Sequence, residues 1–188
     1  MCFIIPYCGL KCNHKQENTP FAANNIIRGD FIMERPMKRP SSSRAESVYI
    51  LMPEHINGAK RLFGGRLMEW IDIVAAVVAR RHSGYDVTTA CVDSLEFLHP
   101  AFVNSTLTLV GRITYVGNTS MEVRVDTYVE ELDGTRKSVN VAYLVLVAID
   151  ADGKPAQVPG LILETEEEKA EFAAGKKRSQ LRKEKKCL

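Results

Sequence analysis

Residues 57–82 read NGAKRLFGGRLMEWIDIVAAVVARRH. The stretch opens as a polar loop punctuated by Gly58, Gly64 and Gly65 and runs into a helix that is apolar nearly all round. Leu67, Met68, Trp70, Ile71, Ile73, Val74, Val77 and Val78 leave no clean polar face, the pattern of a helix enclosed in a domain core. One acid, Asp72, interrupts it. A carboxylate buried there carries a desolvation cost unless it is paired, hydrogen-bonded or used. Neither Arg66 nor Arg80 stands at the three- or four-residue spacing that pairs with Asp72, whereas Glu69 can reach Arg66. A partly buried aspartate can serve as a general base on water, and burial would tend to raise its pKa.

The flanking sequence supplies what wraps this helix. Upstream, S-V-Y-I-L-M-P forms a short apolar strand stopped by Pro53. Downstream, four segments alternate with period two. In the first, Val87, Thr89, Cys91, Asp93, Leu95 and Phe97 share one face. In the third, Met121, Val123, Val125, Thr127 and Val129 oppose Glu122, Arg124, Asp126 and Tyr128, as in a half-buried strand. The fourth, R-K-S-V-N-V-A-Y-L-V-L-V-A-I-D, is apolar on both faces near its end and is expected to be central. An antiparallel sheet wrapped around one central helix satisfies every segment, so the fold class is α+β.

The chain has 188 residues, 45% hydrophobic and 26% charged, with a net charge of +2 at pH 7. That suits one ordinary soluble domain plus tails and singles out no charged partner. No apolar run approaches the roughly 20 residues of a membrane span. The first ten residues lack the basic start of a signal peptide, so the expected location is cytoplasmic. The five cysteines, Cys2, Cys8, Cys12, Cys91 and Cys187, form no regular disulfide framework. Cys8, Cys12 and His14 lack a fourth ligand, and no metal site is expected. Cys91 reads as a core residue, and His55 and His99 as surface or structural ones.

Residues 1–44 read as a flexible extension, with Met33 a candidate start and residues 1–32 upstream of it; 45–160 form the domain. Residues 161–188 form a charged helix or tail with acids first and bases last, complementing a helix dipole, and Gly175 is a candidate break. Its plain reading is a solvated, frayed helix; the sharper one is a contact with an acidic partner or nucleic acid.

In the loop, the plain reading of Asn57 before Gly58 is a turn residue, and the sharper one is an amide that orients water or a substrate carbonyl. Gly64 and Gly65 read either as a tight junction or as a place where free helix N–H groups meet a developing oxyanion. There is no serine-nucleophile motif, no phosphate-loop glycine pattern and no histidine within helical reach of Asp72.

The run NGAKRLFGGRLMEWID, followed in order by FLHP, VGNTSMEV and VAIDADGKP, resembles the hotdog-fold acyl-CoA thioesterases over about Glu46 to Pro159. The resemblance implies a long helix wrapped by an antiparallel sheet and hydrolysis of acyl-CoA to free fatty acid and CoA. It implies a site built from Asn57 and Asp72 of different subunits, with Gly64 and Gly65 amides near the thioester carbonyl. It implies that Val92, Asp93, Ser94 and Leu95, and the turn Gly117, Asn118, Thr119 and Ser120, line the CoA arm. No cofactor is implied, CoA being part of substrate and product. The active unit would be a homodimer with sheets joined edge to edge, assembled into a hexamer; nucleic acid is not an expected partner. Asp72 would activate water, or else attack directly as a nucleophile. The rival readings are a hotdog sensor that binds acyl-CoA without cleaving it and a dehydratase of the same fold, which would need a histidine at the site.

Overall fold

The computed structural model describes residues 35–186. Helix α1, Gly64–Ser83, is the pivot. It starts after the extended residue Phe63 and stops at Gly84, which takes the left-handed conformation (φ 77°) that ends helices at least cost to glycine. Around it runs a five-stranded antiparallel sheet of β2 (Ala45–Ile50), β3 (Asp86–Phe97), β4 (Thr106–Val116), β5 (Ser120–Glu130) and β6 (Arg136–Ile149). The strand order is β2-β4-β5-β6-β3, so β6 is interior as expected and β2 and β3 are the edges. Two short strands, β1 (Met37–Lys38) and β7 (Gly160–Leu161), pair in parallel beside it. The last element is helix α2, Glu166–Lys186. No helix among the described residues is long and apolar enough to cross a membrane.

The inner face of the sheet meets α1 through Leu107, Leu109, Met121, Val123, Leu144 and Leu146, all essentially excluded from solvent. Gly111 lets β4 come close: a Cβ there would stand 2.8 Å from methyls of both Val74 and Val78. Leu67, Trp70, Ile71, Val74, Val78 and His82 form the buried side of the helix. Its other side is not covered, contrary to the expectation of a fully enclosed helix. Met68 and Ile73 are about half exposed, and Asp72 lies on the same open stripe. A single sheet can close over only one side of a helix.

Other expectations also need correction. The extension was expected to run to residue 44, yet Met37–Lys38 is paired with β7 and Pro40–Ser43 forms a 3₁₀ turn with Pro40 and Ser43 buried. Arg35 donates to the carbonyls of Val158 (2.7 Å) and Gly117 (2.6 Å), tying this segment to the domain. Gly175 does not break the tail helix; α2 runs straight through it.

Nor is α2 free in solvent. It crosses the outer face of the sheet, where Arg178 and Arg182 reach Glu122, which is 1% exposed, at 2.8 and 3.1 Å. The alternating polar face of β5 is therefore an ion-paired face under a helix: Arg124 bonds both Asp126 and Glu171, and Arg178 stacks on Tyr143.

Finally, β3 does not alternate simply. Ala90 and Asp93 have no partner in β6, each the extra residue of a β-bulge. Directly paired residues share a face, so Val92 lies opposite Leu144 on the inner side, while Cys91, opposite Val145, turns outward and is only half buried. Cys8, Cys12, His14 and Met33 lie outside the described residues.

Candidate active site

Asn57 stands in a closed turn. Its Oδ1 accepts from the backbone N–H of Ala59 (2.9 Å) and Arg61 (3.2 Å), and its own N–H donates to Arg61 O (2.8 Å). Lys60 takes a left-handed φ of 58° to complete the turn. The turn reading is thus correct, and it selects among the chemical roles. With Oδ1 committed to the loop, only Nδ2 is left to meet a ligand, so Asn57 is a donor, suited to a carbonyl oxygen.

Helix α1 opens at Gly64 and Gly65 with no side-chain cap. Arg66 and Leu67 donate to Phe63 O at 3.0 and 3.1 Å, which leaves the N–H groups of the two glycines as the orphans every helix start has. Aromatic rings crowd them: a Cβ on Gly64 would lie 3.3 Å from Phe97 Cζ, and one on Gly65 2.7 Å from Phe63 Cε1. A side chain at Gly65 would push the Phe63 ring aside, and one at Gly64 would shift the Phe97 ring by a few tenths of an ångström.

Asp72, two turns further on, is exposed in the single chain rather than buried. It is hydrogen-bonded: Thr89 Oγ1 on β3 donates to its Oδ1 at 2.6 Å. Asp72 also lines a cavity of about 420 Å³ with Gly65, Met68, Thr89, Val92 and Leu95. A carboxylate anchored at one oxygen beside an apolar cavity can take a proton from water, and the helix N–H donors can stabilise the oxyanion that water attack creates. Asn57 lies in a separate cavity of about 280 Å³ with Leu67, Phe97, Leu98 and Val139. One chain therefore does not bring Asn57 and Asp72 into a shared cavity.

Val92 and Leu95 line the Asp72 cavity, but Asp93 points the other way and its carboxylate is paired with Arg182 at 2.6 Å. Ser94 pairs with Tyr143 of β6, and Ser120 with Val147. The Gly117–Ser120 turn thus sits four residues along β6 from the 92–95 segment, about 13 Å. It is fixed by Gly117 N to Ser120 O (2.7 Å) and by Val158 N to Asn118 O (3.0 Å). Thr89 is the site residue that sequence reasoning passed over. It stood on the same face as Leu95 in the period-two reading, but nothing in its neighbours marked it as Asp72's partner. His55 and His99 are engaged locally, with Met52 N and Ser138 O.

The sequence pattern of the thioesterase superfamily matches residues 59–134. The chain is 38% identical to an uncharacterized acyl-CoA thioester hydrolase of Bacillus subtilis, covering 72% of this chain and 80% of that protein. It is 31% identical to a human cytosolic acyl coenzyme A thioester hydrolase, of which it spans only 37%. An acyl-CoA hydrolase of Staphylococcus aureus, solved with butyryl coenzyme A, coenzyme A and coenzyme A disulfide, superposes with a TM-score of 0.77 at 35% identity, covering 81% of this chain and 93% of that one. An apo-hexameric acyl-CoA thioesterase gives 0.78 at 34% identity, covering 81% and 99%. The fold is that of the hotdog thioesterases. This chain belongs to the acyl-CoA thioester hydrolase family.

Proposed function

We propose that the protein hydrolyses acyl-CoA to a free fatty acid and CoA, with Asp72 of one subunit and Asn57 of another meeting at the same thioester. The observation that carries this reading is the Thr89–Asp72 hydrogen bond at the edge of an apolar cavity beside the uncapped start of α1. Support comes also from the S. aureus relative. Solved variants of that hydrolase replace an aspartate, an asparagine and a threonine with alanine. Those three positions are spaced along that chain as Asp72, Asn57 and Thr89 are here.

In the mechanism, Thr89 fixes the carboxylate, and the free Asp72 oxygen takes a proton from water as the oxygen attacks the thioester carbon. The carbonyl oxygen becomes an oxyanion held by Gly64 or Gly65 N–H and by Asn57 Nδ2. Collapse breaks the C–S bond, and the proton on Asp72 passes to the departing CoA sulfur. The CoA arm runs past the 92–95 segment and the 117–120 turn. Among the described residues Lys60 and Arg61 make no ion pair, and they flank Asn57 as phosphate partners. Arg112 and Arg124 are already paired with Asp126.

The second copy covers the open stripe of α1 around Met68 and Ile73 and joins the sheet at β3, removing an exposed edge. A homo-oligomer, hexameric like the apo-hexameric relative, follows the same logic.

The test is release of free thiol from short to long acyl-CoAs by the parent, Asp72→Asn and Asn57→Ala. The expected result is hydrolysis by the parent and a loss of about 10²-fold or more in Asp72→Asn. Tight acyl-CoA binding without hydrolysis by the parent would replace this reading with that of a sensor.

A further inference from the structure

Strand β3 carries three residues into the Asp72 cavity at positions 89, 92 and 95. In a regular strand, residues three apart point to opposite faces. The spacing works only because Ala90 and Asp93 are each inserted without a partner in β6. Bulges next to binding sites re-aim side chains in this manner.

The second bulge has an anchor. The Asp93 carboxylate is turned to the outer face, where Arg182 of α2 holds it at 2.6 Å, both side chains about one-fifth exposed. Arg182 is itself fixed from behind by buried Glu122 at 3.1 Å. Arg178 and Thr114 hold Glu122 in turn. A chain of charge-assisted contacts therefore runs from the C-terminal helix through the sheet to the strand that carries Thr89.

We propose that Arg182 is a positioning residue for the active site: through Asp93 it pins the β3 bulge that sets Thr89, Val92 and Leu95 together around Asp72. The acid at position 93 then serves the strand rather than contacting CoA, and α2, which contributes no residue to the lining of the Asp72 cavity, acts on the site through the strand. Without the anchor, Asp93 has no reason to stay on the outer face. The strand can slip by one residue, a change that moves side chains to the opposite face. The catalytic half of this proposal rests on the thioesterase reading above; the strand-positioning half does not.

The test is a double-mutant cycle with Asp93→Ala and Arg182→Gln, and Asp93→Glu as the conservative variant. Hydrogen exchange over residues 86–97 and hydrolysis of a chain-length series are measured on the full chain. The expected result is exchange at least about tenfold faster over 89–95 in each single variant, with α1 amides unchanged. Turnover falls about tenfold with a changed chain-length ranking, the double variant is no worse than the worse single one, and Asp93→Glu recovers most of the loss. Unchanged exchange over 89–95 overturns the proposal, as does faster exchange with unaltered turnover and ranking. If the parent hydrolyses no acyl-CoA, the thioesterase reading falls instead, and exchange alone decides whether Arg182 positions the strand.

Discussion

Gly175→Ala is a sharp test of how α2 meets the sheet. In a solvated helix, replacing glycine with alanine stabilises by about 1 kcal/mol, because the backbone loses less freedom on folding. Here Gly175 is buried, and a Cβ would stand 2.6 Å from Tyr115 Cβ and 2.7 Å from Glu122 Oε1. Neither neighbour is free to retreat. The first is fixed to the β4 backbone, and the second is held by Arg178, Arg182 and Thr114. Ordinary carbon–carbon contact needs about 3.5–4.0 Å, so the helix must lift by about 1 Å over its own ion pairs. Overpacking of this kind costs about 1–3 kcal/mol, which outweighs the helix gain. The expected outcome is a Tm lower by about 3 °C, measured by calorimetry and by fluorescence of Trp70, the single tryptophan. Exposed Lys176→Ala serves as the control that should change little. A Tm raised by a few degrees in Gly175→Ala would refute the docked helix.

Glu122→Gln leaves two arginines facing a neutral group in a buried site. It should cost about 3 kcal/mol in urea unfolding, the scale for breaking a buried pair. Burial would raise the Glu122 carboxyl, but hydrogen bonds from Arg178 and Thr114 and the arginine charges more than offset this and hold it below its ordinary 4.5. Its contribution is therefore complete above pH 4.5 and is lost as pH falls further, so Glu122→Gln should flatten the acid limb of the Tm–pH curve. His82 acts at higher pH. Burial pushes its imidazole below the ordinary 6.5; the bond to Pro159 O opposes this, and the charges of Lys38 and Arg35 add to it. The unfolded chain takes up that proton first, so stability should decline as pH drops below 6.5, and this decline should be absent in His82→Gln. Thr89→Val removes the hydrogen bond to Asp72 and should lower kcat about tenfold, with Thr89→Ser retaining most of it.

The architecture was legible because the signals that make it are local. Period-two segments and an apolar helix with a glycine stop define the sheet, the helix and their contact. The features that escaped depend on what lies opposite. The residues Glu122, Arg124 and Asp126 alternate as a solvated face would, and only the course of α2 shows that Arg178 and Glu171 cover them. The bases of the tail and the charges of β5 are complementary, a signal visible only when the two stretches are considered together. In β3, Val87, Thr89, Leu95 and Phe97 share a face as period two predicts, whereas Cys91 and Asp93 turn to the other one. Two inserted residues restore the phase by Leu95, and a bulge at Ala90 or Asp93 leaves no compositional mark. Asp72 drew notice as a misfit in an apolar helix. Its burial was misjudged because the side of the helix left open by the sheet is apolar too. Asn57 was recognisable in kind, as a turn amide, while the commitment of its Oδ1 required the folded loop.

The central claim is a thioesterase site completed by Asp72 and Asn57 from different copies of the chain, which subunit mixing tests most directly. Asp72→Asn and Asn57→Ala chains carrying different tags are co-expressed, purified as a pool, and assayed for thiol release from acyl-CoA. With random pairing, half of the dimers are mixed, and each mixed dimer holds one intact site and one doubly altered one. The pool should therefore recover about a quarter of parent activity although each variant alone is nearly inactive. Activity no greater than that of the separate variants, with mixed dimers shown to be present by tandem tag capture, would contradict the shared site.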